Sequence, residues 1–183
     1  MAYGSGQKKM LEIIKDVAVA LHKFPNTRLV LKLHPSEIKK VYEKRMQNIG
    51  ENVIILDREN IYELLNSTEA LITMDSTTGL EAMTLGKPVI IFPKEEDDFL
   101  IYKNTNAVLH ASNQKELEKA MELVFLCKGK EFGKLKKNMQ KFLFDYSFKQ
   151  DRKATERIVK LIKEKSFAKK IAKKNLKKFE KEY

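Results

Sequence analysis

The chain has 183 residues, 43% of them hydrophobic and 33% charged, a balance that suits one globular domain with an appendage and excludes a disordered chain. Its net charge of +11 is uneven: residues 151–183 hold 13 Lys and Arg against 5 Asp and Glu, whereas residues 1–150 hold 23 against 20. The basicity therefore belongs to the tail, and nucleic-acid binding is not expected of the domain.

The elements follow in chain order. Met10–Phe24 carries apolar residues at positions 10, 11, 13, 14, 17, 18, 21 and 24, a helical stripe. Arg28–Leu33, bounded by Pro25-Asn26 and His34-Pro35, reads as a strand. Ser36–Ile49 reads as a polar helix ended by Gly50, Val53–Leu56 as a strand and Asn60–Asn66 as a short helix. Ala70–Met74 is a third strand, Thr78–Leu85 a helix closed by Gly86, and Val89–Phe92 a fourth strand. An acidic loop, Pro93–Asp98, leads to a short fifth strand at Asn106–Ala111 and a helix over Gln114–Leu126. Beyond it the pattern is helical only, over about 130–145 and 150–165, before a basic run to the end.

Strands that are continuous apolar runs, alternating with helices, predict an α/β fold with a doubly wound parallel sheet and C-terminal helices. The single cysteine, Cys127, excludes an intrachain disulfide framework and a multi-cysteine zinc site, and its apolar neighbours Leu123–Leu126 suggest a packed helical residue. No run approaches the ~18 apolar residues of a membrane span and no signal-peptide pattern opens the chain, so a reducing, cytoplasmic setting is expected.

Ligands of such sheets bind at the C-terminal ends of strands, in the loops that lead into helices. After the third strand comes Asp75-Ser76-Thr77-Thr78-Gly79. Unpaired amides at a helix start, three hydroxyls, and a glycine that permits close approach suit phosphate oxygens. An ordinary N-cap uses the same residues. Glu81 on the first turn can close a capping box or accept hydrogen bonds from a ribose diol. After the first strand, Pro35 restrains His34 in an extended conformation at the sheet's C-terminal mouth, level with Ser76, whereas His22 and His110 read as surface or packing residues. Ser5 and Gly6 belong to a Gly-x-Gly turn ahead of the first helix, either a remnant of cloning or the phosphate-facing turn after a strand of which a stub is present. Glu95, Glu96, Asp97 and Asp98 read as a solvated loop, and no motif suggests a bound metal.

Together, KLHP after a strand and a later DSTTGLEAMTLGKPVI resemble the C-terminal, nucleotide-binding half of two-domain GT-B type glycosyltransferases. Bacterial surface-polysaccharide transferases, polysialyltransferase-like and teichoic-acid glycerophosphotransferase-like, and the UDP-N-acetylglucosamine 2-epimerases are the nearest in pattern. The stretch FDYSFKQDRKATERIV is similar to the D-G-x-A-x-x-R-I start of the helix that closes that fold; Asp151 and Arg157 fit, and Arg152 replaces the glycine. The resemblance covers roughly residues 4–165 and implies a Rossmann-like domain. It further implies that His34, with Pro35, stands by the donor's phosphates or sugar in a catalytic position. Ser76, Thr77 and Thr78 would hold phosphate oxygens, and Glu81 the ribose hydroxyls, with Ser5 and Gly6 on the phosphate side. The substrate would be a UDP- or CMP/CDP-linked sugar, with no tightly bound cofactor. The epimerases have Ser-Gly-Gly in the turn, so Thr77-Thr78 favours a transferase relative. An N-terminal domain that binds acceptor and supplies a base belongs to complete enzymes of this kind; this chain is expected to be half an active site, completed by a missing domain or partner subunit.

The expected organisation is a nucleotide-sugar domain over 1–149, a closing helix over 150–165 and a basic amphipathic tail over 166–183. Lys160–Tyr183 holds ten lysines and three glutamates, with Ala168, Ile171, Ala172, Leu176 and Phe179 on one stripe. Such a helix can be a solvated extension, bind a partner domain or nucleic acid, or lie on the anionic inner face of a membrane. Three functions remain open from sequence: a capsule or cell-surface polysaccharide glycosyltransferase domain, a 2-epimerase-like enzyme, and a non-catalytic nucleotide- or partner-binding module.

Overall fold

A computed structural model describes residues 3–46, 52–93, 101–126, 129–149, 151–166 and Lys169, with side chains from Lys9 onward. Ile49–Gly50, Cys127, Glu95–Asp98 and the tail from residue 170 lie outside these residues. The chain divides into two compact units, Met1–Leu143 and Phe144–Tyr183.

In the first unit, helix α1 spans Tyr3–Leu21. Ser5 and Gly6 therefore lie inside a helix rather than in a turn ahead of it. Once the stripe of Ile14, Val17 and Leu21 has nucleated α1, adding a residue closes one hydrogen bond, and a glycine costs only about 1 kcal/mol against alanine. Strand β1 (Leu29–Lys32), helix α2 (Lys39–Met46), strand β2 (Val53–Leu56) and helix α3 (Ile61–Asn66) follow. Next come β3 (Leu71–Thr73), α4 (Thr78–Thr84), β4 (Val89–Ile91), β5 (Leu109–His110), α5 (Gln114–Leu126) and α6 (Gly129–Ser147), whose residues from Phe144 onward belong to the second unit.

All strand pairs are parallel, as the continuous apolar runs predict. They form two sheets, however, rather than one: β1 with β2, and β3-β4-β5. The alternation of side chains along β4 shows how its sheet is covered. Ile90 joins a core with Val17, Ala20 and Leu21 of α1 and Leu117, Met121 and Val124 of α5. Val89 and Ile91 point to the opposite face, into a core with Leu65, Met83, Tyr102, Phe132, Leu135 and Met139. β4 is buried throughout, whereas β1 and β3 are half-buried along their whole length.

A cleft of about 410 Å³ lies between the two sheets. Its lining includes Asn26–Arg28, which lead into β1, and Ser67–Ala70, which lead into β3. Both strands thus enter from the same end, and the loops that leave them share the opposite edge.

In the second unit, helix α7 covers residues 154–166. Arg157 grips both carboxylate oxygens of Asp151 at 2.7 and 2.8 Å, donates to Lys149 O at 3.3 Å, and stacks its guanidinium 5.1 Å from the Phe148 ring. The Asp151 carboxyl is held below its ordinary range, chiefly by the Arg157 hydrogen bonds and then by the Lys153 amide. Arg152, which stands where the GT-B pattern has glycine, adopts φ 60°, the left-handed region that a side chain opposes by about 1–2 kcal/mol. Among the described residues, no helix is long and apolar enough to cross a membrane.

Candidate functional site

Two polar turns stand at the C-terminal ends of β1 and β3. The first is His34-Pro35-Ser36-Glu37, all but Glu37 exposed. It is a hydrogen-bonded turn, with the Glu37 amide on His34 O at 2.9 Å, and for this reason α2 begins at Lys39 rather than at Ser36. The His34 ring is fixed from within the same turn: Nδ1 lies 2.7 Å from Ser36 Oγ and accepts the Ser36 amide at 3.2 Å. An Nδ1 that accepts from an amide places the neutral ring's proton on Nε2, which becomes the donor available to a ligand. Glu37 accepts the His34 amide at 2.8 Å and the Tyr42 hydroxyl. Tyr42 is buried, and desolvation, with the Glu37 carboxylate second, pushes its phenol up to about 12.

The second turn runs from Asp75 to Gly79. Ser76 Oγ accepts the Thr78 amide at 3.2 Å and donates to Thr78 Oγ1 at 3.0 Å. The Gly79 and Leu80 amides go to Ser76 O and Thr77 O, both at 2.9 Å. Three of the amides that open α4 are thus satisfied by the turn itself, the N-cap arrangement, with Ser76 making the side-chain bond although Thr77 holds the cap position. Glu81 closes no capping box: among the described residues no hydrogen bond or ion pair engages its carboxylate, which is half-exposed on the first turn of α4. At the far end, the amides of Gly86 and Lys87 bond Met83 O and Ala82 O at 2.9 Å, with Gly86 at φ 73°, the paired closure that needs a glycine in the left-handed region.

The close approach that Gly79 permits is made by the chain's own Tyr102, not by a ligand. A Cβ on Gly79 would lie 2.3 Å from the Tyr102 hydroxyl and 2.7 Å from its ring. That hydroxyl donates to Ser76 O at 2.6 Å, and the neighbouring Ile101 amide donates to Asp75 Oδ1 at 3.2 Å. Tyr102 is almost wholly buried, so the second turn is clamped from a segment 26 residues away in sequence. Sequence reasoning missed Asp75 and Tyr102 as structural partners of this turn. It also missed Lys32, whose Nζ donates to Leu33 O and Asp57 O at 2.8 Å and places a cation across the ends of β1 and β2. A lysine as the last residue of an apolar strand was the available signal.

His34, Pro35, Ser76, Thr77, Thr78 and Glu81 all stand at the edge where the strands end, in two groups that no hydrogen bond joins among the described residues. Ser5 and Gly6 lie in α1, where their side chains are not described. No group of three or more His, Cys, Asp or Glu residues that could hold a metal ion occurs among the described residues.

Parallel strands alternating with helices, and polar turns gathered where the strands end, define an α/β protein of the Rossmann-like class. Residues 1–95 match the family of capsule polysaccharide biosynthesis proteins, and the chain belongs to that family. The matched span contains both turns, from α1 through the end of β4. No curated protein matches the chain.

Proposed function

We propose that this chain is the donor-binding domain of a GT-B type glycosyltransferase in capsule polysaccharide biosynthesis. A nucleotide-activated sugar, UDP- or CMP/CDP-linked, lies along the edge where the strands end. Ser76, Thr77 and Thr78 hold its phosphate oxygens, with Ser76 Oγ and Thr78 Oγ1 exchanging their mutual bond for the ligand. Glu81 accepts from the ribose hydroxyls, and His34 donates from Nε2 to a phosphate or sugar oxygen, stabilising the nucleotide as it departs. The acceptor and the base come from a second domain or partner subunit. The observation that supports this reading best is that the His34 and Ser76 turns follow the C-terminal ends of β1 and β3, the two strands that border one cleft, in a member of this family.

Thermal denaturation with UDP, CMP, CDP and GDP tests the proposal. A nucleotide at about 100 times its dissociation constant adds roughly 2.7 kcal/mol, and Ser76→Ala and Glu81→Ala should each reduce that gain. If no nucleotide stabilises the chain, or neither variant alters the effect, the reading is wrong.

The tail adds membrane contact from a cytoplasmic position. The exposed Ile158, Leu161 and Ile162 beside Lys160, Lys163 and Lys165 support an amphipathic surface for anionic lipid. Sedimentation with anionic liposomes should fall on deleting 166–183 and fall further on replacing Ile158, Leu161 and Ile162 by serine; a pellet unchanged by both removes the lipid role.

A further inference from the structure

Residue 32 breaks the pattern of its strand. Leu29, Leu31 and Leu33 of β1 pack on one side, with Ile14, Tyr42 and Met46. Val30 and Lys32 alternate to the other side, where their register partners on β2 are Ile54 and Leu56, so that face is apolar except for one ammonium group. Lysine rarely gives up water without a partner for its charge, and Lys32 is half-buried. Its partners are two carbonyls and no carboxylate. Among the described residues Nζ donates to Leu33 O and Asp57 O, both at 2.8 Å, and enters no ion pair.

The two carbonyls fix where the charge stands. Beyond the Leu33 amide on Leu56 O, at 2.8 Å, β1 and β2 end, and the ammonium bonds one carbonyl from the exit of each. An ammonium has three N–H donors, so one remains, and carbonyl dipoles orient the group without cancelling its charge. The nearby carboxylates are engaged elsewhere: Glu37 accepts from the His34 amide and the Tyr42 hydroxyl, and Asp57 Oδ2 lies 4.0 Å from Arg58 Nε. Lys32 also lines the cleft with Ile72 of β3, the strand that leads to the Ser76 turn. The phosphate ligands read so far are neutral, the hydroxyls of Ser76, Thr77 and Thr78 and the His34 ring, while Asp75 and Glu81 add carboxylates after β3. A nucleotide's phosphates bring full negative charge to that edge, for which a lysine ammonium is a compact counter-charge.

We propose that Lys32 is the cationic phosphate ligand of this edge, its third N–H bonding a phosphate oxygen of the bound anion while Leu33 O and Asp57 O hold the ammonium in place. This role rests on the donor-binding reading, to which it adds the charge that the neutral ligands lack.

NMR detection of the lysine ammonium groups in the full chain tests it, with sodium pyrophosphate, UDP and CMP as probes and uridine and cytidine as uncharged controls. Pyrophosphate and one of the nucleotides should shift the Lys32 Nζ signal, neither nucleoside should, and the bound fraction should fall as salt screens the charge. Lys32→Met, which keeps the stem and removes the charge, should weaken both anions about tenfold or more, the range of a hydrogen bond to a charged group. Lys32→Arg should recover most of that loss. Nucleotide binding that leaves the Lys32 signal unmoved, or that is as tight in Lys32→Met as in the native chain, overturns the role of Lys32 and leaves the donor reading standing. Pyrophosphate binding that depends on Lys32, with no nucleotide bound, supports the role and overturns the donor reading. If no anion binds the native chain, both fail. The native-chain signal decides the matter even where Lys32→Met does not fold.

Discussion

The two polar turns at the strand ends are built on opposite plans. The His34 turn is held from nearby in sequence: His34 and Ser36 bond within the turn, and Glu37 is anchored by the hydroxyl of Tyr42, five residues on. The Ser76 turn is held from outside, by the Tyr102 hydroxyl on Ser76 O and the Ile101 amide on Asp75. A turn whose exposed side chains bond only to near neighbours in sequence can re-aim them at small cost. A clamped turn keeps its backbone fixed while its hydroxyls exchange partners. For a site that takes an anion, the second plan gives preorganisation and the first gives adjustment.

Substitution at Gly79 should break this contrast most strongly. A methyl group there collides with Tyr102, which is packed in the core, so Gly79→Ala should lower stability by about 1–3 kcal/mol in denaturant unfolding. Position 152 is the converse case, a non-glycine residue where the backbone favours glycine. Arg152→Gly should raise the stability of the second unit by about 0.5–1 kcal/mol, the relief of φ strain less the added unfolded-state entropy of glycine. Tyr102→Phe should cost about 1 kcal/mol by removing the bond to Ser76 O, and should weaken any ligand bound at that turn. Ser36→Ala, in the exposed part of the His34 turn, should change stability by less than about 0.5 kcal/mol while freeing the His34 ring, visible as a change in its NMR tautomer signature.

Alkaline pH sharpens the comparison further, because Tyr42 lies under the first turn alone. Its folded-state phenol, raised to about 12, is above the ordinary value of 10.0. The stabilisation is therefore complete below pH 10 and disappears as pH rises through 12. Tyr42→Phe should flatten the loss of stability over that window in a pH series of melts, leaving Ser76→Ala with the native profile.

Most elements were legible because local patterns decide them. The Ile13-Ile14-Val17-Leu21 stripe, the short apolar runs at Leu29, Val53, Leu71 and Val89, and the Leu85-Gly86-Lys87-Pro88 closure each show their structure within a few residues. Proline 35 and the hydroxyls of Ser76–Thr78 likewise marked the two turns. The start of α1 was misread because glycines signal a turn locally, yet cost little in a helix that packing has already nucleated.

The sequence by itself determined which segments are strands and helices, that the strands run parallel, and which turns meet the sheet edge, since periodicity and turn chemistry act over a few bonds. Tertiary structure alone decided that Gly79 makes room for Tyr102, that the Ser76 turn is clamped by Tyr102 and Ile101, and that the strands form two sheets with a cleft between β1 and β3. Those facts depend on which distant residues come to lie beside one another, and no pattern within a single segment encodes that neighbourhood.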